Sequence, residues 1–544
     1  MEQSLEQERN RQARSTACAA VDSLAVSPTG IVQYTSRGRV LVVGDEEAQL
    51  FANRIEPPLH AEVLLQKGSE EPGVPVVAVG GRKVRINGHL GAFVIELGEP
   101  GKPSFQRIES DMVLDFGEKP LIGAEFLPPG YWYFSTEPQE MDRALLEIAP
   151  MVGTFEKPRF FDYDPDICAH ARAGREGCER CILACPADAI ISIGESVEVN
   201  PNLCQGGGVC ASVCPTGAMR YAYPSPADTL RRVHLMLKKY LEAGGNDPVV
   251  LFASEADAMS LGELQPNILL LVVEELGSVG LEVWLSALAW GAQEVLLADG
   301  ESVLRGIRLN LDEQMKIADS ILHGMAYPAN LIRFLGAEEI GKASGAKMPQ
   351  ISAAAFESFN EKRTMLFLAI DHLFQQSGSS LEMISLPDDA AFGRIEVESS
   401  ACTLCMGCTS VCPVKALQAG NDEPRLQFIE QNCVQCGLCE SACPENAITL
   451  QTRLLTSVEK RRQLVTLHEE APFLFCSCGK PFASKGMISK MLDQLSGHPM
   501  FQSERAIKRL QMCEECRVVD AIQDQDAIDA GIAIKQPETN QRKN

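Results

Sequence analysis

The sequence predicts an α+β multidomain protein. Three observations support this: 544 residues, which is about three to four domains' worth, a change from short strand-like runs to strands alternating with helices, and local clustering of the 20 cysteines. The predicted domains are a β-rich N-terminal domain at 21–150, a cysteine-rich module at 160–223, a parallel α/β domain at 227–345, a second cysteine-rich module at 395–455 and a small cysteine-containing module at 470–525.

The composition argues against a nucleic-acid-binding protein and against a membrane protein. With 73 acidic against 49 basic residues the net charge is −24, which disfavours a nucleic-acid-binding surface. Met1–Ala20 is polar and is predicted as a solvated helix, and no run reaches the ~18 apolar residues that a spanning helix needs. We therefore expect a cytoplasmic protein without membrane insertion. In a reducing compartment, clustered cysteines indicate metal sites and not disulfides.

The N-terminal domain is predicted from short β-prone runs that end at glycines and turn signals. The predicted strand Arg39–Val43 is followed by Gly44, which suggests a dinucleotide-binding site as an alternative. However, the G-x-G-x-x-G motif is absent, and acidic residues follow the glycine. A Pro- and Gly-rich stretch, Glu118–Tyr133, is either a connecting loop or a segment packed on the next domain.

The second cysteine-rich module holds two copies of a Cys-x2-Cys-x2-Cys-x3-Cys-Pro run. The copies are Cys402, Cys405, Cys408, Cys412 and Pro413, and Cys433, Cys436, Cys439, Cys443 and Pro444. This spacing resembles that of bacterial dicluster ferredoxins, in which the fourth cysteine of one run binds the cluster of the other. The resemblance implies one [4Fe-4S] cluster on Cys402, Cys405, Cys408 and Cys443, and another on Cys433, Cys436, Cys439 and Cys412. The alternative, a pair of zinc knuckles, has no use for the Cys-Pro after a three-residue gap.

The first cysteine-rich module is a ferredoxin-like repeat with two changes. Its cysteines are Cys168, Cys178, Cys181 and Cys185 in one run and Cys204, Cys210 and Cys214 in the other. Nine residues, Ala169–Gly177, separate the first two cysteines, and Gly207 stands where the second run should carry its second cysteine. The ferredoxin pairing implies a [4Fe-4S] cluster on Cys168, Cys178, Cys181 and Cys214, and leaves its neighbour only Cys185, Cys204 and Cys210.

The three-cysteine set has three interpretations. Three thiolates suit a [3Fe-4S] cluster. They also suit an open-site [4Fe-4S] cluster whose fourth iron is held by water, a side chain or a ligand. The third interpretation is a site that has lost its cluster.

Between the two modules, apolar runs such as Val249–Ala253 and Ile268–Val273 alternate with helical segments, which predicts a parallel α/β sheet. The order of elements at Gly277–Leu335 resembles the small iron–sulfur subunit of methyl-viologen-reducing hydrogenases, which docks on heterodisulfide reductase. That family carries cysteines at its strand ends, whereas this chain has Ser254 and Glu274–Gly280 there. The resemblance implies a scaffold that has lost its cluster and serves as an interface.

Near the C-terminus two close cysteine pairs flank a helix-forming stretch. The pairs are Cys476 with Cys478, and Cys513 with Cys516. Two such pairs are what a tetrahedral structural zinc site needs, so the sequence predicts one zinc ion in a zinc-ribbon-like module. An iron site and free thiols are the alternatives.

Several features together resemble a family of proteobacterial cytosolic polyferredoxins encoded beside molybdenum or tungsten formate dehydrogenases. They are the Phe-Asp-Tyr-Asp-Pro lead-in to the first module, the α/β middle, the eight-cysteine module and the Cys-x-Cys-Gly-Lys-Pro-Phe to Met-Cys-x-x-Cys-Arg ending. The resemblance implies an iron–sulfur electron-transfer protein that relays single electrons through three to four clusters. Its redox partner would be a dehydrogenase such as formate dehydrogenase.

Two other function classes stay open. One is an accessory factor that assembles or matures such a formate dehydrogenase, and the other is catalysis at the open corner of the three-cysteine cluster. The sequence has no P-loop, nucleophile elbow, HExxH or flavin fingerprint. An electron-transfer subunit is therefore favoured over a self-contained enzyme.

Overall fold

The computed structural model describes residues 2–69, 72–134, 137–340, 348–359, 361–420, 423–498, 501 and 503–524. It divides into two compact units: unit 1 comprises Met1–Ala171 and Glu179–Pro387, and unit 2 comprises Arg172–Cys178 and Asp388–Asn544. The last residues predicted for the α/β domain, 341–345, and for the C-terminal module, 525, lie outside the described residues. No helix within these described ranges is long and apolar enough to cross a bilayer.

Unit 1 begins with one long helix followed by a strand-rich region. Its elements are α1 (Glu2–Asp22), β1 (Ile31–Ser36), β2 (Arg39–Gly44), α2 (Glu46–Ala52), β3 (His60–Leu65), β4 (Val76–Ala78), β5 (Val84–Asn87), β6 (Phe93–Leu97), β7 (Gln106–Ser110), β8 (Met112–Asp115), β9 (Tyr131–Tyr133), α3 (Pro138–Ile148) and β10 (Gly153–Pro158). A parallel sheet has the order β4-β3-β2-β8-β9, and β5, β6 and β7 form an antiparallel sheet. Strand β10 pairs with β1, so this region continues past residue 150.

Strand β2 is apolar on both faces because both faces are covered. Val40 and Val42 belong to one buried cluster with Phe51, whereas Leu41 and Val43 belong to another that contains Phe93. The central position of β2 therefore explains its continuous apolar run.

The first cysteine-rich module consists of short elements. They are β11 (Phe161–Tyr163), a 3₁₀ turn (Pro165–Ile167), β12 (Ala171–Arg172), β13 (Arg175–Glu176), α4 (Arg180–Ala184), β14 (Ile190–Ile193), β15 (Ser196–Val199), α5 (Val209–Ser212) and β16 (Met219–Tyr221). Strand β11 pairs with β16, and β14 pairs with β15, both antiparallel.

The remainder of unit 1 alternates helices and strands. The elements are α6 (Pro226–Glu242), β17 (Val249–Ala253), α7 (Glu255–Ser260), β18 (Ile268–Val272), α8 (Leu281–Ala289), β19 (Glu294–Ala298), α9 (Arg305–Gly324), β20 (Ile332–Leu335), α10 (Ala337–Ile340), α11 (Lys362–Ser377) and β21 (Met383–Ser385). The four strands β18-β17-β19-β20 form a sheet in which every pairing is parallel. Ser225 caps the start of α6 by accepting from the Asp228 backbone N–H, with Pro226 in the first turn.

The N-terminal helix α1 forms as predicted but is not fully solvated. It packs on α6, where Ala13 and Ala17 have no exposed surface and Val21 is buried. These residues recur every four positions, so small side chains on one face allow close helix packing.

Unit 2 contains the second cysteine-rich module and the C-terminal module. Its elements are β22 (Gly393–Val397), α12 (Gly407–Ser410), β23 (Leu417–Ala419), β24 (Arg425–Phe428), a 3₁₀ turn (Glu430–Asn432), α13 (Leu438–Ser441), β25 (Ile448–Leu455), α14 (Val458–Arg462), β26 (Val465–Glu469), β27 (Pro472–Leu474), β28 (Pro481–Ser484), α15 (Lys485–Leu495), α16 (Glu504–Arg509) and α17 (Glu514–Ile522). Strand β22 pairs antiparallel with β25, β23 pairs antiparallel with β24, and β26 extends the second pair.

Candidate metal centres

All four cysteine runs end in the same backbone turn. The third residue after the last cysteine has positive φ in each: Asp188 (48°), Gly217 (75°), Lys415 (52°) and Asn446 (50°). Just beyond this turn, backbone N–H groups donate to cysteine sulfurs: Ala189 to Cys185 (3.4 Å), Met219 to Cys214 (3.3 Å) and Ala447 to Cys443 (3.3 Å). Such bonds fix the direction of each sulfur.

The loops of the second module are wound around their second cysteine. Leu404 (φ 54°) and Met406 (φ 59°) flank Cys405, and Gln435 (φ 53°) and Gly437 (φ 81°) flank the corresponding position in the other run. The left-handed region costs a non-glycine residue about 1 kcal/mol or more. Two such residues around one cysteine indicate a loop shaped to turn its thiols inward.

One cavity in unit 2 gathers cysteines from both runs. Its lining includes Cys402, Cys405, Cys408 and Cys443. Burial, and then the other three thiols, raise the pKa of Cys408 to about 12. The Cys408 thiol so placed resists ionising without a cation. This donor set therefore fits a cluster whose iron supplies positive charge.

The other four cysteines of this module also interact as a group. Burial raises the pKa of Cys439, and the next causes are Cys433, Cys436 and Cys412, followed by Cys408 of the other set. The assignment of the eight cysteines to the two sets that the ferredoxin resemblance implies stays a prediction.

The run with Gly207 keeps the loop conformation although it lacks the thiol. Gly206 (φ 83°) and Gly208 (φ 75°) are left-handed, at the same places as Leu404 and Met406 in the complete run. Gly207 itself lies outside the left-handed region. The backbone of 204–210 is therefore wound like a cluster-binding loop.

The three-cysteine set also surrounds a cavity. Cys185, Cys204 and Cys210 are among its lining residues. Burial raises the pKa of Cys210 well above its ordinary value, followed by the effects of Cys185 and Cys204. This cavity and the one at the complete ligand set have the same volume, about 20 Å³. The residues present therefore fit a cluster held by three thiolates.

The remaining predicted set is divided between the units. Cys168, Cys181 and Cys214 lie around the core of the first module in unit 1, whereas Cys178 ends the segment Arg172–Cys178 of unit 2. A [4Fe-4S] cluster on these four cysteines therefore stays a prediction.

Two residues near the three-cysteine cavity were not identified from the sequence. The Lys157 ammonium group donates to the backbone oxygen of Cys204, 47 positions away, and burial lowers the pKa of this lysine to about 8. Phe126, in the stretch Glu118–Tyr133, lines the cavity itself. That stretch packs on the module instead of forming a plain connecting loop. Neither residue belongs to a motif, so the sequence carries no signal for them.

The C-terminal module brings three of its four cysteines together. The sulfurs of Cys478, Cys513 and Cys516 all lie within 4.8 Å of one another. The sulfur of Cys476 instead lies 3.9 Å from the Lys508 backbone oxygen. The backbone N–H of Cys516 lowers the pKa of Cys513, whose side chain caps α17. Three converging thiols suit zinc, and Cys476, two residues from Cys478, remains the predicted fourth ligand.

Comparison with protein families agrees with this geometry. A family model described as a 4Fe-4S dicluster domain matches residues 388–448, and one described as a 4Fe-4S binding domain matches residues 197–220. The second match covers the run in which Gly207 replaces a cysteine. No curated protein matches the chain. The chain thus contains two ferredoxin-type 4Fe-4S domains, which support an iron–sulfur electron-transfer role and imply a redox partner.

Proposed function

We propose that this chain is a cytoplasmic electron-transfer protein that relays single electrons through three to four iron–sulfur clusters. The clusters, when bound, supply one-electron redox chemistry. The observation that carries the proposal is the cavity lined by Cys402, Cys405, Cys408 and Cys443, because cysteines from two separate runs meet there. The recurrence of the same loop backbone at 204–210 extends the proposal to the first module.

The protein residues have three tasks in this function. Cysteine thiolates hold the clusters. Backbone N–H···S bonds orient those thiolates and tune the reduction potentials of the clusters. Buried apolar side chains such as Leu404 and Leu426 limit water around them. Cys405 is exposed, which favours this corner as a point of electron entry or exit.

The partner proposed is a dehydrogenase such as formate dehydrogenase. Support for it comes from the resemblance of the cysteine motifs and the C-terminal ending to polyferredoxins encoded beside that enzyme. A net charge of −24 would favour a basic docking patch on the partner, with association that weakens as salt is raised.

The test begins with anaerobic purification of the full chain, quantitation of iron, sulfide and zinc, and a redox titration followed by electron paramagnetic resonance. Cys405→Ser should remove one cluster's signal, while Cys18→Ser, a change outside every run, should remove none. Formate with formate dehydrogenase should then reduce the wild-type clusters reversibly.

Other results would favour other functions. Zinc in place of iron at residues 402–443 would overturn the proposal. Clusters that formate dehydrogenase does not reduce, together with enzyme subunits that lack their metal cofactor in cells without this chain, would favour the accessory-factor alternative.

A further inference from the structure

The three-cysteine cavity is closed on the side where the fourth ligand is missing. A Cβ atom placed on Gly207 would lie 3.1 Å from Cε2 of Phe126, 3.1 Å from Cγ of Pro186 and 3.5 Å from Cδ1 of Ile307. The first two distances are tighter than ordinary contacts. The direction in which a cysteine side chain would leave this loop is therefore occupied by an aromatic ring.

Hydrogen bonds hold Phe126 against the module. Its backbone N–H donates to the Pro186 oxygen (2.9 Å), and the Gln205 side-chain amide donates to the oxygen of Leu127 (2.7 Å). The Glu125 carboxylate accepts from the Gly306 N–H at the start of α9 (2.8 Å). Pro186 and Gln205 each follow a predicted ligand directly, so the ring is fixed relative to two of the three thiols.

The opposite side of the loop is equally closed. A Cβ on Gly208 would lie 2.5 Å from the backbone nitrogen of Ser278, and one on Gly277 would lie 2.1 Å from the oxygen of Gly207. Backbone therefore packs directly on backbone here, and the loop cannot move away from Phe126 without displacing the segment before α8.

The cavity offers few donors for a fourth iron. Among its lining residues, the non-cysteine side chains with oxygen or nitrogen are Gln205 and Tyr221. The Gln205 amide donates to Leu127, and the Tyr221 hydroxyl donates to the oxygen of Gly206 (2.8 Å). The Gln205 amide nitrogen and the Tyr221 hydroxyl are thus both engaged with backbone oxygens. No carboxylate or imidazole belongs to this described lining.

We propose that Phe126 determines the cluster type at this site. Its ring takes the place of the missing thiolate, excludes water and a fourth iron, and holds the site in its three-iron form. The inference rests on the proposed cluster at Cys185, Cys204 and Cys210. It gives the N-terminal domain a role in the redox chemistry, because Phe126 comes from that domain.

The test measures iron uptake by the full chain. Dithionite supplies one electron to convert [3Fe-4S]⁺ to [3Fe-4S]⁰, and added Fe²⁺ then combines with it to give [4Fe-4S]²⁺, so that atoms and charge balance. The wild type should take up no iron and should regain its [3Fe-4S] resonance signal on reoxidation. Phe126→Ala should bind about one further iron per chain and lose that signal. Phe126→Leu should take up less iron than Phe126→Ala. Phe359→Ala changes an exposed ring and should take up as little iron as the wild type.

The outcomes separate the two proposals. Iron uptake by the wild type as complete as by Phe126→Ala would overturn the role of Phe126, and so would a persistent [3Fe-4S] signal in both Phe126 variants. If Cys185→Ser changes neither the iron content nor the resonance spectrum, the site holds no cluster and the proposed function of this module fails first.

Discussion

The ammonium group of Lys157 lies 2.6 Å from the backbone oxygen of Cys204 and 3.1 Å from that of Asn202. It also lies 4.9 Å from the ring centroid of Tyr34, whose hydroxyl donates to the same Asn202 oxygen. Strand β10 thus carries a half-buried cation to the loop that begins the Gly207 run. A cation here favours the more negative, reduced state of a nearby cluster.

Lys157→Met should therefore lower the reduction potential of the three-cysteine cluster. If the lost interaction with the reduced cluster is on the order of 1.4 kcal/mol, the reduction potential of this one-electron couple falls by about 59 mV. Potentiometry followed by electron paramagnetic resonance would measure it. Lys157→Arg should keep most of the wild-type potential because it keeps the charge. An equal shift in Lys238→Met, at an exposed lysine, would show that the effect is not local.

Gly207→Cys alone should not produce a normal four-ligand cluster. The backbone at Gly207 accepts a side chain, but Phe126 and Pro186 leave its Cβ only 3.1 Å on two sides. The double variant Phe126→Ala with Gly207→Cys should bind four irons at this site, because removing the ring opens a path for the new thiol. Iron and sulfide quantitation with resonance spectra would measure both.

The control for this pair is Phe126→Ala with Gly207→Ala, which adds the Cβ atom without a sulfur. It should bind its fourth iron only as Phe126→Ala does, without a cysteine, so the resonance spectra and not the iron content separate the two double variants. A full [4Fe-4S] spectrum from Gly207→Cys alone would show that the Phe126 ring moves aside for the new thiol, which would contradict the prediction.

The cysteine sets proposed in unit 2 can be inferred from the sequence because most of each set is local. Three thiols come from one short run, so spacing alone places them together, and the ferredoxin resemblance supplies the fourth. Phe126 and Lys157 could not be found in this way. Both residues contact the first cysteine-rich module at positions far away in the sequence. These contacts depend on how the N-terminal region packs on that module.

The same reasoning applies to the strands. Alternating strands and helices predicted parallel pairing after α6, and the strands β17 to β20 do pair in parallel. In the N-terminal region the sequence predicts β2 as a strand but neither α2 nor β3, so the strand–helix–strand order that indicates parallel pairing is missing, and its other partner, β8, is distant in sequence. The buried face of α1 was missed because Ala13 and Ala17 are small and resemble an ordinary helix surface.

Acid should weaken the N-terminal region through Asp111. Burial alone would raise the pKa of this carboxyl, but hydrogen bonds from Arg39 and from the Arg37 backbone lower it below 3.8. A lowered folded-state pKa contributes stability above the unfolded value, and that stability is lost as pH falls through the folded value. Asp111→Asn should therefore lower the free energy of unfolding by about 2 kcal/mol at pH near 7, a figure discounted because Arg39 is partly exposed, and by less at pH near 3.

Hydrogen exchange of β2 and β8 at the two pH values would measure this difference locally. Asp142→Asn provides the control, since its ion pair with Arg54 is exposed on both sides. A difference between wild type and Asp111→Asn that grows in acid would contradict the assigned sign.

The C-terminal module should depend on zinc for its fold. Its hairpin and helices bury few large side chains, among them Ile488 and Met512, while Val519 and Ile522 of α17 are exposed. A core this small needs a metal staple.

Cys478→Ser should therefore release zinc and make residues 472–522 sensitive to protease while leaving the cluster spectra unchanged. Because the sulfur of Cys476 lies apart from the three gathered thiols, Cys476→Ser should lose less zinc than Cys478→Ser. Zinc quantitation after dialysis and limited proteolysis would measure both, with Cys18→Ser as the control outside the module. Equal zinc content in wild type and Cys478→Ser would contradict the zinc assignment. Iron bound by these thiols would show that the module holds an iron site instead.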